Sequence, residues 1–330
     1  MSARRILVRS VVVLALALVL AGGGFFLWAS VAADRSMARS FDTHEVDFPI
    51  PFPLDPAEVA REGLTDAEAE AMALERARER GRHLVEARYA CAECHGADYG
   101  GGVMVDAFPI GRLLGPNLTR GQGGVTPGYS VADWDRIVRH GVRPDGRPAV
   151  MPSEDFLRMS DQELSDIIVY LESVPPVDHE VPPSRLGPLG RILMARGEIV
   201  LSADLISTHD EPHPALPPPA EVSVEFGRHL AGVCSGCHGM ELTGGRIAGG
   251  DPSWVPAADL TPSGLPGWDY ADFRLAMLES RRPDGSEIRE PMTFVTPFAR
   301  NMTEVEMQAL WMYLQSLPAA PELEGSRRSP

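Results

Sequence analysis

Lysine is absent from this chain of 330 residues. All 30 basic residues are arginine, set against 46 acidic ones for a formal net charge of −16. Such acidity argues against nucleic-acid binding, where phosphates must be neutralised, and allows electrostatic steering towards a partner with a basic docking face. No glycine loop opens a helix after a strand to cradle phosphate, and no nucleophile elbow is present. Cysteine is nearly absent too: the four residues all lie in two short repeats, so none remains for a disulfide, a third metal site or a redox switch.

The repeats are Cys91-Ala92-Glu93-Cys94-His95 and Cys234-Ser235-Gly236-Cys237-His238. C-x-x-C-H is the attachment sequence of c-type haem: two thiols within one helical turn meet one porphyrin edge, and the adjacent histidine is placed to ligate iron. The rival reading is a zinc site closed by four thiolates. Zinc requires neither the histidine after each pair nor a methionine at matched distance, and both occur. Met151 lies 60 residues beyond Cys91, and Met292 lies 58 beyond Cys234. The expected cofactors are two covalent haem c groups on Cys91, Cys94, Cys234 and Cys237, with His95 and His238 as proximal iron ligands.

The N-terminus carries Arg4, Arg5 and Arg9 ahead of an apolar run from Val11 to Ala33. Basic residues before such a run mark an export signal whose basic end stays in the cytoplasm. The run is long enough to span a bilayer, which favours an uncleaved anchor at 1–33, although Ser30-Val31-Ala32 could pass as a cleavage site. Residues 34–63, with Phe48-Pro49-Ile50-Pro51-Phe52-Pro53 at their centre, read as an extended proline-rich spacer whose aromatics suggest packing along the first domain. Residues 64–176 and 221–319 read as two copies of one domain, 177–220 as a linker wrapping one or both, and 320–330 as a polar tail. The copies share their order of motifs at offsets between 139 and 146 (Pro144 to Pro283; Gly81 to Gly227). Thr65 with Glu68, Ser160 with Glu163, and Thr303 with Glu306 predict helix-opening capping boxes, and Ser130 a further N-cap. Leu164, Ile167, Ile168 and Leu171 should form a buried helix face. Leu186 to Ala195 could form a short helix. The second copy has a shorter lead-in and no close match to Gly115-Pro116, whose fixed carbonyls suit the other N–H of an axial histidine.

Each copy resembles a class I cytochrome c domain: a helix, C-x-x-C-H, a Gly115-Pro116-Asn117-Leu118 loop, a methionine loop and a closing helix. The whole is similar to membrane-anchored di-haem cytochromes c of bacterial respiratory chains and to the cytochrome subunits paired with periplasmic dehydrogenases. The resemblance covers about Thr65–Pro175 and Val222–Pro318. It implies a mainly α fold, with tandem cytochrome c domains behind an N-terminal transmembrane helix. It also implies Met151 (Ala149-Val150-Met151-Pro152) and Met292 (Glu290-Pro291-Met292-Thr293) as sixth iron ligands, the second with Pro-Met in place of Met-Pro. Thioether sulfur favours ferrous iron and closes the site to oxygen or peroxide. Met104 follows its motif too closely, while Met159, Met302, Met277 and Met307 read as core. His83 and His229 are expected on a helix near haem or solvent, His140 at a helix C-terminus, and Arg112, Arg120 or Arg147 are candidates for the haem propionates.

The function implied is electron transfer in a respiratory chain by a carrier rather than an enzyme. It would sit on the cytoplasmic membrane with its haem domains facing the periplasm, between redox protein partners that the sequence does not identify. The alternatives are the haem subunit of a periplasmic dehydrogenase or oxidase complex and, less favoured by the two methionines, a di-haem peroxidase.

Overall fold

The computed structural model describes residues 3–247, 250 and 253–318; the tail expected at 320–330 lies outside them. Helix α1 (Ala3–Met37) is 35 residues long, about 52 Å at 1.5 Å per residue, and is long and apolar enough to cross a membrane. It continues past the proposed cleavage tripeptide. Its far end is docked: Ala29 and Ala33 are buried, and Arg191 Nη1 sits 2.6 Å from Asp34 Oδ1.

The spacer is extended over 38–55 and then forms a helical segment absent from the sequence reading, α2 (Pro56–Glu62), opened by the Asp55 side chain and a proline at its start. The extended part packs along the first domain. Phe48 is buried among Leu84, Trp134 and Leu164, with Val46 and Phe52 beside it. Ser165 Oγ donates to Pro49 O at 2.9 Å.

Helix α3 (Asp66–His83) opens on the Thr65–Glu68 capping box and runs into one π-helical turn at Leu84–Arg88. The motif helix α4 (Cys91–His95) follows. The glycine-rich stretch after it forms an antiparallel hairpin of β1 (Gly102–Ala107) and β2 (Gly111–Gly115). Helix α5 (Val131–Arg139) is capped by Ser130 with Asp133. Helix α6 (Asp161–Ser173) is capped by Ser160 with Glu163 and buries Leu164, Ile167, Ile168 and Leu171.

The linker wraps the first domain. Strand β3 (Arg185–Leu186) extends the hairpin into a three-stranded sheet. Helix α7 (Pro188–Ala195) receives the end of α1. The four-residue helix α8 (Ser202–Leu205) packs at Ser153–Asp155. Further on, the Pro214 and Ala215 carbonyls accept from Asp161 N and Gln162 N at 2.9 and 3.0 Å. With Ser160 accepting from Glu163 N, the first turn of α6 has its free N–H groups satisfied.

The second half contains α9 (Val224–Leu230), α10 (Ser235–His238), α11 (Tyr270–Glu279), α12 (Thr296–Ala299) and α13 (Glu304–Ser316). Helix α11 begins at Tyr270, capped by Asp269 with Asp272. In both halves the lead-in helix crosses the closing helix at a glycine. A Cβ on Gly81 would lie 2.0 Å from Asp166 O and 2.7 Å from Tyr170 Cβ; on Gly227 it would lie 2.0 Å from Ala309 O and 2.6 Å from Tyr313 Cβ. Only glycine lets the backbones approach this closely, which accounts for the repeated Gly-Arg-His-Leu.

Candidate functional site

The first motif is held by its neighbours' backbone. Ala90, with φ of 45°, turns the chain out of the π-helical turn into α4. His95 Nδ1 donates to Pro116 O at 2.9 Å, which assigns the lone pair to Nε2. Burial pulls the His95 ring below its ordinary value, against the raising effect of the Pro116 carbonyl, so the ring is neutral. A Cβ on Gly115 would lie 2.0 Å from Cys94 O, and one on Gly102 2.5 Å from it. The hairpin can therefore press directly on the motif.

The second motif repeats this without the proline. His238 Nδ1 donates to Ala258 O at 2.7 Å, and burial lowers that ring as well. Gly245 and Ala257 form a single bridge where the first half has Gly102 paired with Gly115 in a full hairpin. A backbone carbonyl carries no side-chain signature, so sequence comparison with Gly115-Pro116 missed the equivalent acceptor at Ala258.

Burial pushes the Cys91 and Cys234 thiols up to about 12, and Cys94 and Cys237 are also raised, again chiefly by burial. Such surroundings disfavour thiolate and suit an uncharged thioether. Among the described residues the two cysteine pairs do not gather into one cluster of metal-binding groups, so a four-thiolate zinc site is not formed. Paired thiols beside a histidine whose Nε2 carries a free lone pair are the donor set that covalent haem requires.

Met151 lies half-buried at the edge of the first core. Met292 lies at the edge of the second and opens a 3-10 turn, Met292–Phe294. Met159 is buried in the first core, Met277 and Met307 in the second, and Met302 packs against the second. Met104 is in β1. A residue that sequence reading overlooked, Ser202 of α8, clamps the Met151 loop: its hydroxyl donates to Met151 O and accepts from Ser153 N at 3.0 Å. No local signal ties a linker serine to that loop. Arg112 and Arg147 are exposed and pair with Asp106 and Asp145, and Arg120 is exposed.

His83 and His229 lie on helices, as expected, at the end of α3 and within α9. Each reaches across to the other half. His83 Nε2 is 2.8 Å from Glu306 Oε1, and His229 Nε2 is 2.8 Å from Glu163 Oε1. The two glutamates occupy the same position of their capping boxes. Arg88, from the π-helical turn, joins them, with Nε 2.5 Å from Glu306 and Nη1 3.0 Å from Glu163. Opposing burial, the His83 hydrogen bond and Arg88 hold Glu306 down to about 2, and His229 and Arg88 likewise hold Glu163 below its ordinary value. Close by, Gly236 N, inside the second motif, donates to Asp155 Oδ1 at 2.8 Å, in the turn that follows Met151. Burial, with Glu154 adjacent, raises Asp155 to about 7. Asn301 Nδ2 donates to Glu86 O at 3.0 Å, just before the first motif. The segment after each methionine therefore packs on the segment leading into or through the opposite C-x-x-C-H.

Residues 76–171 match the family model described as cytochrome C oxidase, cbb3-type, subunit III. The cytochrome c subunit of alcohol dehydrogenase (quinone) from Gluconacetobacter polyoxogenes is 28% identical over 265 residues, 72% of this chain and 55% of that protein. The corresponding subunit from Gluconobacter oxydans is 27% identical over 271 residues, 70% of this chain and 53% of that protein. A diheme cytochrome c-type from Cereibacter sphaeroides is 25% identical over 257 residues, 69% of this chain and 82% of that protein. The chain spans about half the length of the alcohol dehydrogenase subunits that it matches.

Proposed function

With a cytochrome c domain at residues 76–171 as the premise, we propose that the chain is a membrane-anchored electron carrier with two covalent haem c groups, facing the periplasm and serving a dehydrogenase. Cys91 and Cys94 hold one group, and Cys234 and Cys237 the other. His95 and His238 are the proximal ligands, and Met151 and Met292 the distal ones. The observation that carries the reading is the matched pair of histidine–carbonyl hydrogen bonds, His95 to Pro116 and His238 to Ala258, which present an Nε2 lone pair beside two thiols in each half. Haem supplies the one-electron couple. The chain supplies ligation and the contact of the turn after Met151 with the second motif, through Asp155 and Gly236. Thioether ligation raises the potential and fills the iron, a carrier's arrangement rather than a catalyst's. Helix α1 provides the anchor.

The partner class follows from relatives that are cytochrome subunits of alcohol, gluconate and fructose dehydrogenases. The test is a visible spectrum of the purified, reduced protein with and without carbon monoxide, together with haem quantitation. Two haems per chain and a spectrum unmoved by carbon monoxide are expected. A shift in about half of the absorbance would overturn one methionine assignment and open that half to catalysis. Co-purification of a dehydrogenase with stoichiometric cofactor would bear on the partner separately.

A further inference from the structure

Four of the nine histidines gather away from both motifs. His140, the C-cap of α5, is fully buried. Around it stand His44 from the spacer, Asp135 from α5, and His209 and His213 from the linker. We propose that His44, Asp135, His140 and His213 bind a tetrahedral divalent transition-metal ion, of which zinc suits the donor set best, and that this ion pins spacer and linker to the first domain.

The hydrogen bonds decide which ring atoms are free. His209 Nε2 lies 3.0 Å from Ala203 O, a pure acceptor, so that nitrogen carries the proton and the neutral ring's Nδ1 is an acceptor. His140 Nδ1, 3.1 Å from His209 Nδ1, must then be the donor. The lone pair of His140 is thereby fixed on Nε2, which points towards the other ligands. His213 Nε2 is 3.2 Å from it and Asp135 Oδ2 is 3.4 Å from it. A tetrahedron with metal–ligand bonds of about 2.0–2.1 Å has edges of about 3.3–3.4 Å, so two of its edges are already close to that length. One ligand atom from each of the four residues lies within 4.8 Å of all the others.

A metal-free account would string the rings together by hydrogen bonds. That account leaves two atoms stranded: His44 Nδ1 and Asp135 Oδ2 are buried with no hydrogen-bond partner, an arrangement that costs about 1–3 kcal/mol each when nothing compensates it. Three imidazoles and a carboxylate are donors that zinc accepts in tetrahedral geometry. The supporting contacts are also in place. His209 orients His140, and Arg139 Nε holds the other oxygen of Asp135 at 2.7 Å, as outer residues do around bound metals. Arg139 in turn pairs with Asp161 at 2.8 Å, so the site is not left with an uncompensated cation.

The test uses the full-length haem-loaded protein in detergent, stripped with a chelator and titrated with zinc. Elemental analysis should give one tightly held zinc per chain, and zinc K-edge absorption should report nitrogen and oxygen ligands near 2.0–2.1 Å with no sulfur. Zinc should raise the thermal midpoint by several degrees. His44→Ala and His213→Ala should each abolish stoichiometric binding while leaving the haem spectrum unchanged. His209→Ala, removing only an orienting group, should weaken binding about 10–100-fold. Should His213→Ala fail to fold, His44→Ala still decides, because His44 anchors no side-chain hydrogen bond through Nδ1. The proposal is overturned if the parent takes up no stoichiometric zinc, if His44→Ala binds as tightly as the parent, or if the absorption edge shows sulfur.

Discussion

Replacing Glu306 by Gln isolates the charge at the contact between the two halves. Gln at that position can still close the capping box with Thr303, so helix α13 keeps its start. What disappears is the negative charge facing His83 and Arg88. Glu306 is held down to about 2 from an ordinary 4.5, a difference that corresponds to about 3 kcal/mol in favour of the ionised folded state. Because the folded value is depressed, this stabilisation is complete above about pH 4.5 and is lost as the pH falls towards 2. Urea denaturation in detergent, followed by far-UV dichroism at several pH values, measures it. At pH 7 the variant should be about 3 kcal/mol less stable than the parent, and its stability should change far less between pH 4.5 and 2. Near-equal stabilities at pH 7 with parallel pH curves would refute the reasoning, since Glu306 would then be no better placed in the folded chain than in water.

Asp155 should behave with the opposite sign. Raised to about 7 by burial, it weakens the fold as pH climbs from about 4 through 7. Asp155→Asn, which keeps an acceptor for Gly236 N, should therefore gain stability over the parent at pH 8 and none at pH 4 in the same urea assay. Gly227→Ala should cost about 1–3 kcal/mol in thermal denaturation, because the new methyl meets the Ala309 carbonyl; Gly23→Ala, in open space, should be neutral. Asn117→Ala removes a fully buried amide that donates to Val177 O and His179 O and accepts from Thr119. It should cost about 1–3 kcal/mol and speed proteolysis within residues 177–184.

What the sequence made legible was local. The capping boxes at Thr65, Ser160 and Thr303 are four-residue patterns whose chemistry closes within one helical turn, and the structure forms all three. The hairpin Gly102–Gly115 was hidden because glycine is depleted in strands and its presence at both ends masks the short apolar segments between. The crossed contacts were hidden for another reason: His83 and Glu306 are 223 positions apart, and no periodicity announces a partner at that range. The histidine cluster is the same case, its members drawn from the spacer, α5 and the linker. Ala258 shows a third limit, since a carbonyl can replace another regardless of the side chain beside it.

The reciprocal pairing of His83 with Glu306 and His229 with Glu163 is the pattern of an isologous dimer, in which residue i meets j and j meets i. The two halves of this chain meet as two copies of one protein would. A single half carrying that histidine and that glutamate already possesses a self-complementary face, so joining two of them in one polypeptide needed no new contact surface. It raised the local concentration of an association already encoded. The three extra residues between His83 and Cys91, relative to His229 and Cys234, supply Arg88 from one side only. That departure from two-fold symmetry, like the full hairpin found in the first half where the second has a single bridge, gives the molecule distinguishable ends.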